Sequence, residues 1–124
     1  MERSFGKLHR IHLKNDIQLL FDEGKKLHVF PFVSYYRKLP KEPNVFSVLI
    51  SVPKKRFKKA HDRNRIKRLI RECVRIHREK LMLHSAKHEC QLQFSIVYLC
   101  DEILEFERMN VQLTKLINSL CNEK

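Results

Sequence analysis

Hydrophobic positions switch between helical and alternating spacing along the chain, and this pattern predicts its elements. A first helix is indicated by apolar residues at helical spacing that end before a glycine: Leu13, Ile17, Leu20, Phe21 and Gly24. Residues 28–37 are aromatic and β-branched, and Pro31 either divides them into two short strands or makes them an edge strand. Residues 38–44, which include two prolines, are predicted to be a turn or loop.

The clearest predicted strand runs from Val45 to Val52 and ends at Pro53. Its even-numbered positions are all apolar, whereas its odd-numbered positions include two serines. A longer helix is then predicted, and Asp62 lies just ahead of it as an N-cap or first-turn acid. The apolar arc of this helix comprises Ile66, Leu69, Ile70, Cys73, Val74, His77 and Leu81.

Beyond this helix the pattern predicts a polar connection over residues 84–91 and an alternating strand over residues 92–100. The last helix is predicted to open at Asp101 and Glu102, whose carboxylates suit the positive end of the helix dipole. Its apolar face comprises Phe106, Met109, Leu113, Leu116, Ile117 and Leu120. The order α-β-β-β-α-β-α predicts one α+β domain, residues 1–124, with helices packed on a small sheet.

Charge is concentrated in one segment of this frame. The 124 residues include 26 Lys and Arg against 14 Asp and Glu, which is a formal net charge of +12. Residues 54–80 hold thirteen of the cations and three of the acids, which leaves +10 in that segment and +2 in the other 97 residues. So strong a local charge indicates a polyanionic partner, either a nucleic acid or an acidic membrane surface.

The outer arc of the longer helix favours a nucleic acid. The spacing predicts a stripe about 20 Å long that contains no acid. Its members are Asn64, Lys67, Arg68, Arg71, Arg75 and Arg78. A solvated helix face normally mixes both signs of charge, so we interpret this stripe as a phosphate-binding surface. Membrane binding is disfavoured because the apolar arc of the same helix has a core to face, and no apolar run is long enough to span a bilayer.

Other kinds of chemistry have little support. Two glycines in the whole chain cannot form a Gly-rich phosphate loop. His84, His88 and Cys90 could be drawn as a zinc site, but they lack a fourth ligand, so surface histidines and a buried thiol are favoured. A stand-alone nuclease using His61 or His77 is disfavoured because neither has an evident carboxylate partner. Four cysteines without paired spacing, and a start without a hydrophobic stretch, predict a soluble cytoplasmic protein.

The run from Arg63 to Glu72 (RNRIKRLIRE) closely resembles the signature of the bacterial ribonuclease P protein subunit. Residues 51–55 (SVPKK) and 58–62 (KKAHD) also match the sequence that leads into that signature. The likeness extends to the helix end at residues 21–24, to the aromatic strand and to the order of elements, and it weakens after residue 82.

The resemblance implies a ribosomal protein S5 domain 2-like fold, which is a two-layer α/β sandwich with a left-handed β-α-β crossover. It implies a non-catalytic subunit of a holoenzyme that cleaves precursor tRNA to give the mature 5′ end. Catalysis would belong to the RNA subunit, with magnesium held mainly by the RNA and none bound tightly by the protein alone. The expected partners are ribonuclease P RNA and the 5′ leader of precursor tRNA, with no obligate protein partner and no membrane.

The resemblance also implies which residues bind RNA. On the signature helix they are Arg63, Asn64, Arg65, Lys67, Arg68, Arg71 and Arg75. Lys58 and Lys59 are additional basic positions. The cleft for the single-stranded leader is expected at Ile17, Phe21, Tyr35, Ser51, Lys54 and Lys55. Single-stranded RNA is held by aromatic faces that stack on bases and by cations that follow the backbone.

Two alternatives stay open at this point. The spacing of Phe21 suits core packing as well as it suits the cleft. A general or ribosomal RNA-binding structural protein would share the charge and the architecture.

Ile17 departs from the family, which often has an aromatic residue at this position. We therefore expect base stacking at this end of the leader to be weaker by about 1 kcal/mol at one base.

Overall fold

The structure, a computed structural model, describes residues 14–39 and 45–122, without the side chains of residues 14–16 and 45. Four helices and four strands lie within these ranges. They are α1 (Lys14–Glu23), β1 (Lys25–Val29), β2 (Phe32–Leu39), β3 (Val45–Ser51), α2 (Ala60–Ile76), α3 (Arg78–Lys87), β4 (Gln91–Tyr98) and α4 (Phe106–Asn122). None of the helices described is both long and apolar enough to cross a membrane.

The four strands form one sheet in the order β1-β2-β4-β3. The pairs β1–β2 and β2–β4 are antiparallel, whereas β3 and β4 are parallel. Two parallel neighbours need a crossover connection, and α2 with α3 provides it. The predicted α+β class, with helices packed on a small sheet, is confirmed.

One face of the sheet carries the main core, against α2 and α4. Alternation along each strand points large apolar side chains to this face, because neighbouring residues of a strand face opposite ways. The strand residues in this core cluster include Phe32, Tyr36, Phe46, Val48, Leu92, Phe94, Ile96 and Tyr98. Tyr35 lies on the opposite face, where its ring contacts Phe21 of α1. Helices therefore cover the sheet on both sides, but unequally.

Pro31 divides the aromatic segment into two strands, β1 and β2, as one of the two sequence interpretations predicted. The Phe30–Pro31 peptide bond is cis, and the Leu99 N–H donates to the Pro31 carbonyl at 2.8 Å. The predicted loop over residues 38–44 is wrong at its start, because β2 continues through Leu39. Residues 40–44 of that loop, and Leu13 of the first helix, lie outside the described residues.

The longer helix ends earlier than its apolar periodicity predicts. α2 stops at Ile76, and the His77 N–H donates to the Val74 carbonyl at 3.0 Å, which closes a tighter turn. A separate helix, α3, then runs to Lys87. The predicted single helix through Leu81 and the predicted polar connection over residues 84–91 are therefore wrong. Leu81 lies beyond the break but packs in the same core as the buried residues of α2. The apolar spacing of the sequence therefore continues across the break.

The last helix starts later than predicted, at Phe106 instead of Asp101. The preceding residues are held as a loop because the Tyr98 hydroxyl donates to the Glu102 carbonyl at 2.5 Å and accepts from the Leu104 N–H at 3.2 Å. The acid in the first turn of α4 is Glu107. The strand before it, β4, also ends at Tyr98 instead of residue 100.

Candidate nucleic-acid interface

Helix α2 is fixed on the core by one side, and this leaves its other side at the surface. Ile66, Ile70, Cys73 and Val74 are fully buried. Asp62 lies in the first turn, as predicted, where a carboxylate stabilises the positive end of the helix dipole. The register of α2 is therefore set by apolar burial, and its polar residues point outward.

The outer arc of α2, which we define as Asn64, Arg65, Lys67, Arg68, Arg71 and Arg75, faces solvent to different degrees. Asn64, Arg65 and Arg68 are exposed, and the other three are partly buried. Arg65 and Arg68 have no hydrogen bond or ion pair with any residue in the part of the chain that the structure describes. Their guanidinium groups are therefore available to bind an anion such as a phosphate group.

Two predicted RNA-binding arginines are engaged within the protein. Arg63 donates from Nη1 to the carbonyls of Phe57 and Lys58, at 2.8 and 2.9 Å. Arg75 forms an ion pair with Glu72, in which Nε donates to Oε1 at 3.0 Å and Nη2 contacts Oε2. Arg75 lowers the pKa of Glu72 by this hydrogen bond. The predicted stripe itself contains no acid, but the neighbouring Glu72 pairs with Arg75, because a residue three positions earlier on a helix is a surface neighbour.

The loop between β3 and α2 carries four exposed lysines. Its fold is set by Phe57, which is buried, and by the Arg56 N–H, which donates to the Pro53 carbonyl at 3.2 Å. The side chains at the surface are Lys54, Lys55, Lys58 and Lys59. These lysines connect the end of β3 to the start of α2, so the basic segment is continuous in space as well as in sequence.

On the other face of the sheet, Phe21 and Tyr35 form an aromatic pair. Their ring centroids are 5.0 Å apart, with the planes at 64°, which is an edge-to-face contact. Both side chains are partly buried, and Lys26 Nζ lies 5.9 Å from the centroid of the Tyr35 ring. Ile17, one turn before Phe21, is also partly buried. Phe21 therefore belongs to the α1 side of the sheet and not to the main core.

Gly24 allows α1 to end directly against β2. Its N–H donates to the Leu20 carbonyl at 2.9 Å, so it closes the helix as predicted. The reason for glycine is space, because its φ is not positive. A Cβ at this position would lie 2.3 Å from the Leu20 carbonyl oxygen and 3.1 Å from that of Tyr36.

The sheet face under α1, which we call the cleft face, carries both polar and apolar side chains. Strand register gives it three rows, and the row at one end contains Arg37, Gln93 and Ser47. In the middle row the Tyr35 N–H donates to Ser95 Oγ at 3.0 Å. The row at the other end contains Val33, Val97 and Ser51. Ser51 thus lies one row from Tyr35, and Lys54 and Lys55 follow it in the chain.

Sequence reasoning missed Arg37 and Gln93 on this face. Arg37 Nε donates to Gln93 Oε1 at 2.7 Å, and Arg37 Nη1 lies 3.6 Å from Glu23 Oε1 at the end of α1. The side chain of Arg37 is 12% exposed. Polar residues inside a strand that is otherwise apolar were the available signal. They became informative only when β2 and β4 were known to be neighbours.

His84 and His77 lie within the packed structure. His84 is buried, so the prediction that it is a surface histidine is wrong. Its Nε2 has no hydrogen-bond partner among the described residues, and burial lowers its pKa to about 4. Its ring centroid lies 4.4 Å from that of His88. Burial also lowers the pKa of His77, whose Nε2 lies 2.9 Å from Thr114 Oγ1. The lowered pKa of each group favours the neutral imidazole near pH 7.

His61 and Cys73 lie in surroundings that do not activate them. His61 Nδ1 does lie 3.6 Å from Asp62 Oδ1, which corrects the prediction that it lacks a carboxylate neighbour. That separation exceeds a hydrogen bond, and the His61 side chain is 86% exposed. Burial raises the pKa of the Cys73 thiol to about 12, which makes it unreactive. Among the described residues, no group of three or more His, Cys, Asp or Glu could hold a metal ion.

Comparison with known proteins identifies related chains. A family model described as Ribonuclease P matches residues 5–120. The "Ribonuclease P protein component" of Porphyromonas gingivalis is 37% identical over 118 residues, which cover 90% of this chain and 84% of that protein. The RNase P protein of Thermotoga maritima superimposes with a TM-score of 0.69 at 25% identity, covering 90% of this chain and 96% of the other. That of Staphylococcus aureus has the same fold, with a TM-score of 0.72 at 23% identity, covering 92% and 96%.

Proposed function

The chain belongs to the ribonuclease P protein family, and from this premise we propose that it binds the 5′ leader of precursor tRNA and the catalytic RNA of ribonuclease P. In this proposal the RNA subunit carries out the endonucleolytic cleavage that gives the mature tRNA 5′ end. The protein contributes binding and orientation. The general RNA-binding alternative does not account for a family match over nearly the whole chain.

The observation that carries the proposal is the continuity between two unlike surfaces. The cleft face ends at Ser51, the exposed Lys54 and Lys55 follow in the loop, and α2 then presents Arg65 and Arg68. A single strand of RNA on the cleft face and a folded RNA on the outer arc of α2 would thus meet along one basic band. This arrangement suits a protein that holds a substrate against an RNA enzyme.

On the cleft face, we assign leader binding to the partly buried pair of Phe21 and Tyr35. Partly exposed aromatic rings can stack on bases without sequence-specific hydrogen bonds. Lys26, near the Tyr35 ring, adds a cation for the RNA backbone. Ile17, one turn earlier on α1, would contact a neighbouring base without a π face. Because the rings contact each other edge to face, a base inserted beside them meets a preformed surface.

On the outer arc of α2, we assign the catalytic RNA to Asn64, Arg65, Lys67, Arg68 and Arg71. Guanidinium groups bind phosphate oxygens bidentately, which favours arginine at these positions. Arg63 acts mainly as a positioning residue, since its hydrogen bonds hold the loop that carries Lys58. Arg75 contributes less charge, because Glu72 neutralises it.

The donor set does not fit a tightly held magnesium ion. Magnesium prefers carboxylate and water oxygens in octahedral geometry, whereas the outer arc of α2 presents cations and one amide. Magnesium in the holoenzyme is therefore assigned mainly to the RNA, and no step of the proposed function depends on protein ligands to magnesium.

All four cysteines are free thiols, which supports a reducing compartment such as the cytoplasm.

The test is precursor-tRNA cleavage by ribonuclease P RNA at low magnesium, with and without the protein. We expect the protein to restore correct 5′ processing that the RNA alone performs poorly. The double variant Arg65→Ala/Arg68→Ala should restore it less well, while Lys87→Ala, which removes an exposed cation from α3, should match the parent. If the protein binds the cognate ribonuclease P RNA tightly but does not restore cleavage, the proposal is overturned, and the protein is a general RNA-binding protein.

A further inference from the structure

Phe30 is a large aromatic side chain that the fold leaves half exposed, at 50%. It lies at the turn between β1 and β2, which is held from two sides. Gln112 Nε2 donates to the Phe30 carbonyl at 2.5 Å, and the Leu99 N–H donates to the Pro31 carbonyl at 2.8 Å. Isolated exposed apolar residues are ordinary, but the backbone that carries this ring is held by hydrogen bonds from α4 and from the end of β4.

A groove of about 420 Å³ lies beside the ring, and we call it the Phe30 groove. Its lining includes Phe30, Arg56, Cys100, Asp101, Glu102 and Arg108. The hydroxyl of Tyr98 holds one wall through the Glu102 carbonyl and the Leu104 N–H. Arg56 holds another wall by donating from Nη1 to Asp101 Oδ1 at 2.8 Å. The groove is therefore preformed, which reduces the entropic cost of binding.

Arg56 connects this groove to the basic loop before α2. It lies between Lys55 and Lys58, which are both exposed. A strand of RNA that follows these lysines therefore runs beside the groove. The opposite charges in the lining are balanced, since two arginines, Arg56 and Arg108, accompany two acids. Ion pairing with phosphate is thus a minor contribution inside the groove, and the aromatic ring is its main binding feature.

Building on the proposed function, we propose that the Phe30 groove binds one unpaired nucleotide of RNA, with its base stacked on the Phe30 ring. The site is separate from the cleft face, because Phe30 belongs to the β1–β2 turn near α4 and the pair of Phe21 and Tyr35 lies under α1. Stacking on an aromatic side chain is tolerant of base identity. The nucleotide comes either from the catalytic RNA or from the leader, and the test distinguishes these sources.

The absence of tryptophan from the sequence provides a direct test. The variant Phe30→Trp gives the full-length protein one indole in the groove. Ribonuclease P RNA is added to saturation, followed by precursor tRNA with a 5′ leader. We expect stacking to quench the emission at one of these two additions, and that addition identifies the source of the nucleotide. Leu83→Trp is the matched control, because Leu83 is 65% exposed on α3 and does not line the groove.

A second variant separates stacking from simple apolar contact. Phe30→Leu keeps an apolar side chain and removes the π face, so we expect RNA binding to weaken between about 5-fold and about 150-fold. The factor should be the same at low and at physiological salt, since stacking releases no counterions. Arg68→Ala should instead change the salt dependence. If Phe30→Leu does not fold, the emission of Phe30→Trp alone tests whether a base stacks at this position.

Unchanged emission of Phe30→Trp at saturation with both RNAs, or unchanged affinity of a folded Phe30→Leu, would overturn the inference. Equal quenching of Leu83→Trp would also overturn it, because it would indicate general coverage by RNA. The proposed function is judged separately, by rescue of precursor-tRNA cleavage with the unaltered protein. If the unaltered protein rescues precursor-tRNA cleavage and a folded Phe30→Leu binds RNA with unchanged affinity, the inference about the groove is rejected and the proposed function stands.

Discussion

Helices α1 and α2 pack on opposite faces of one sheet and contribute to the proposed function in different ways. α2 places four fully buried residues, among them Ile66 and Ile70, against an apolar sheet face and keeps its cations outside. Among the described side chains of α1, Leu20 is the one that is fully buried, and the sheet beneath carries Ser47, Ser95 and Gln93. One helix is anchored and bears charge, and the other covers a polar face only partly.

The difference shows how a small domain can separate stability from binding. An apolar arc that is completely buried gives α2 a fixed orientation, so its outer arc needs no further support. The cleft face retains buried polar groups that pair with one another, as Arg37 does with Gln93. Such a face accepts a polar ligand more easily than a dry core does.

Replacement of Ile70 by alanine should lower the free energy of unfolding by about 2–4 kcal/mol, because it leaves a cavity under α2. Urea denaturation measures this change. Arg68→Ala, on the exposed arc of the same helix, is the control and should change stability by less than about 0.5 kcal/mol. Comparable destabilisation by the two variants would show that α2 does not place Ile70 in the core and Arg68 at the surface.

Replacement of Gly24 by alanine should destabilise the α1 side by about 1–3 kcal/mol, a typical cost of forced overpacking. The added Cβ would meet the Leu20 carbonyl oxygen at 2.3 Å, so α1 must shift away from β2. Denaturation midpoints measure the effect, with Lys25→Ala as an exposed neighbouring control. A midpoint equal to or above that of the parent would mean that α1 can move at no cost.

Arg68→Ala should weaken binding of ribonuclease P RNA and reduce the salt slope of log K by about 0.7–0.9, the value for one lost phosphate contact. Arg75→Ala should change the slope less, because Glu72 already neutralises that guanidinium. Affinities measured from low to physiological salt give both slopes. Equal changes would indicate that the Arg75–Glu72 pair opens when RNA binds.

Ile17→Phe should strengthen binding of precursor tRNA by about 1 kcal/mol, or roughly fivefold, by supplying a π face next to Phe21. The gain should depend on the leader and disappear with mature tRNA. Ile17→Leu is the matched control, since it keeps an aliphatic side chain. No leader-dependent gain would reject stacking at this position.

Much of the fold follows from local patterns. The strand that ends before Pro53, the division at Pro31 and the inner arc of α2 were all predictable, because each depends on periodicity or on proline. The break at His77 was not, since the apolar spacing continues to Leu81 across it. The loop before α4 was also missed, because the Tyr98 hydroxyl that holds it acts through tertiary contacts.

The residues of the candidate site also divide into those that the sequence indicated and those that required the structure. Periodicity indicated the exposed Arg68, since it lies opposite an apolar arc, whereas Arg65 was indicated by the family resemblance. The sequence also indicated Phe21 and Tyr35, but only through the family resemblance. It did not indicate that Glu72 pairs with Arg75, because Glu72 is not a member of the predicted stripe.

The sequence alone determined the α+β class, the basic helix and the family, because these depend on spacing and on residue type. The tertiary structure decided which charges are available and which surfaces adjoin. Arg63 is engaged by the preceding loop, Arg37 meets Gln93 across two strands, and Phe30 stands beside a groove built from distant segments. The Arg37–Gln93 contact and the groove join residues far apart in the chain, so only the packing of the sheet and helices creates them. The contact of Arg63 is local, but it depends on how the loop folds back on α2.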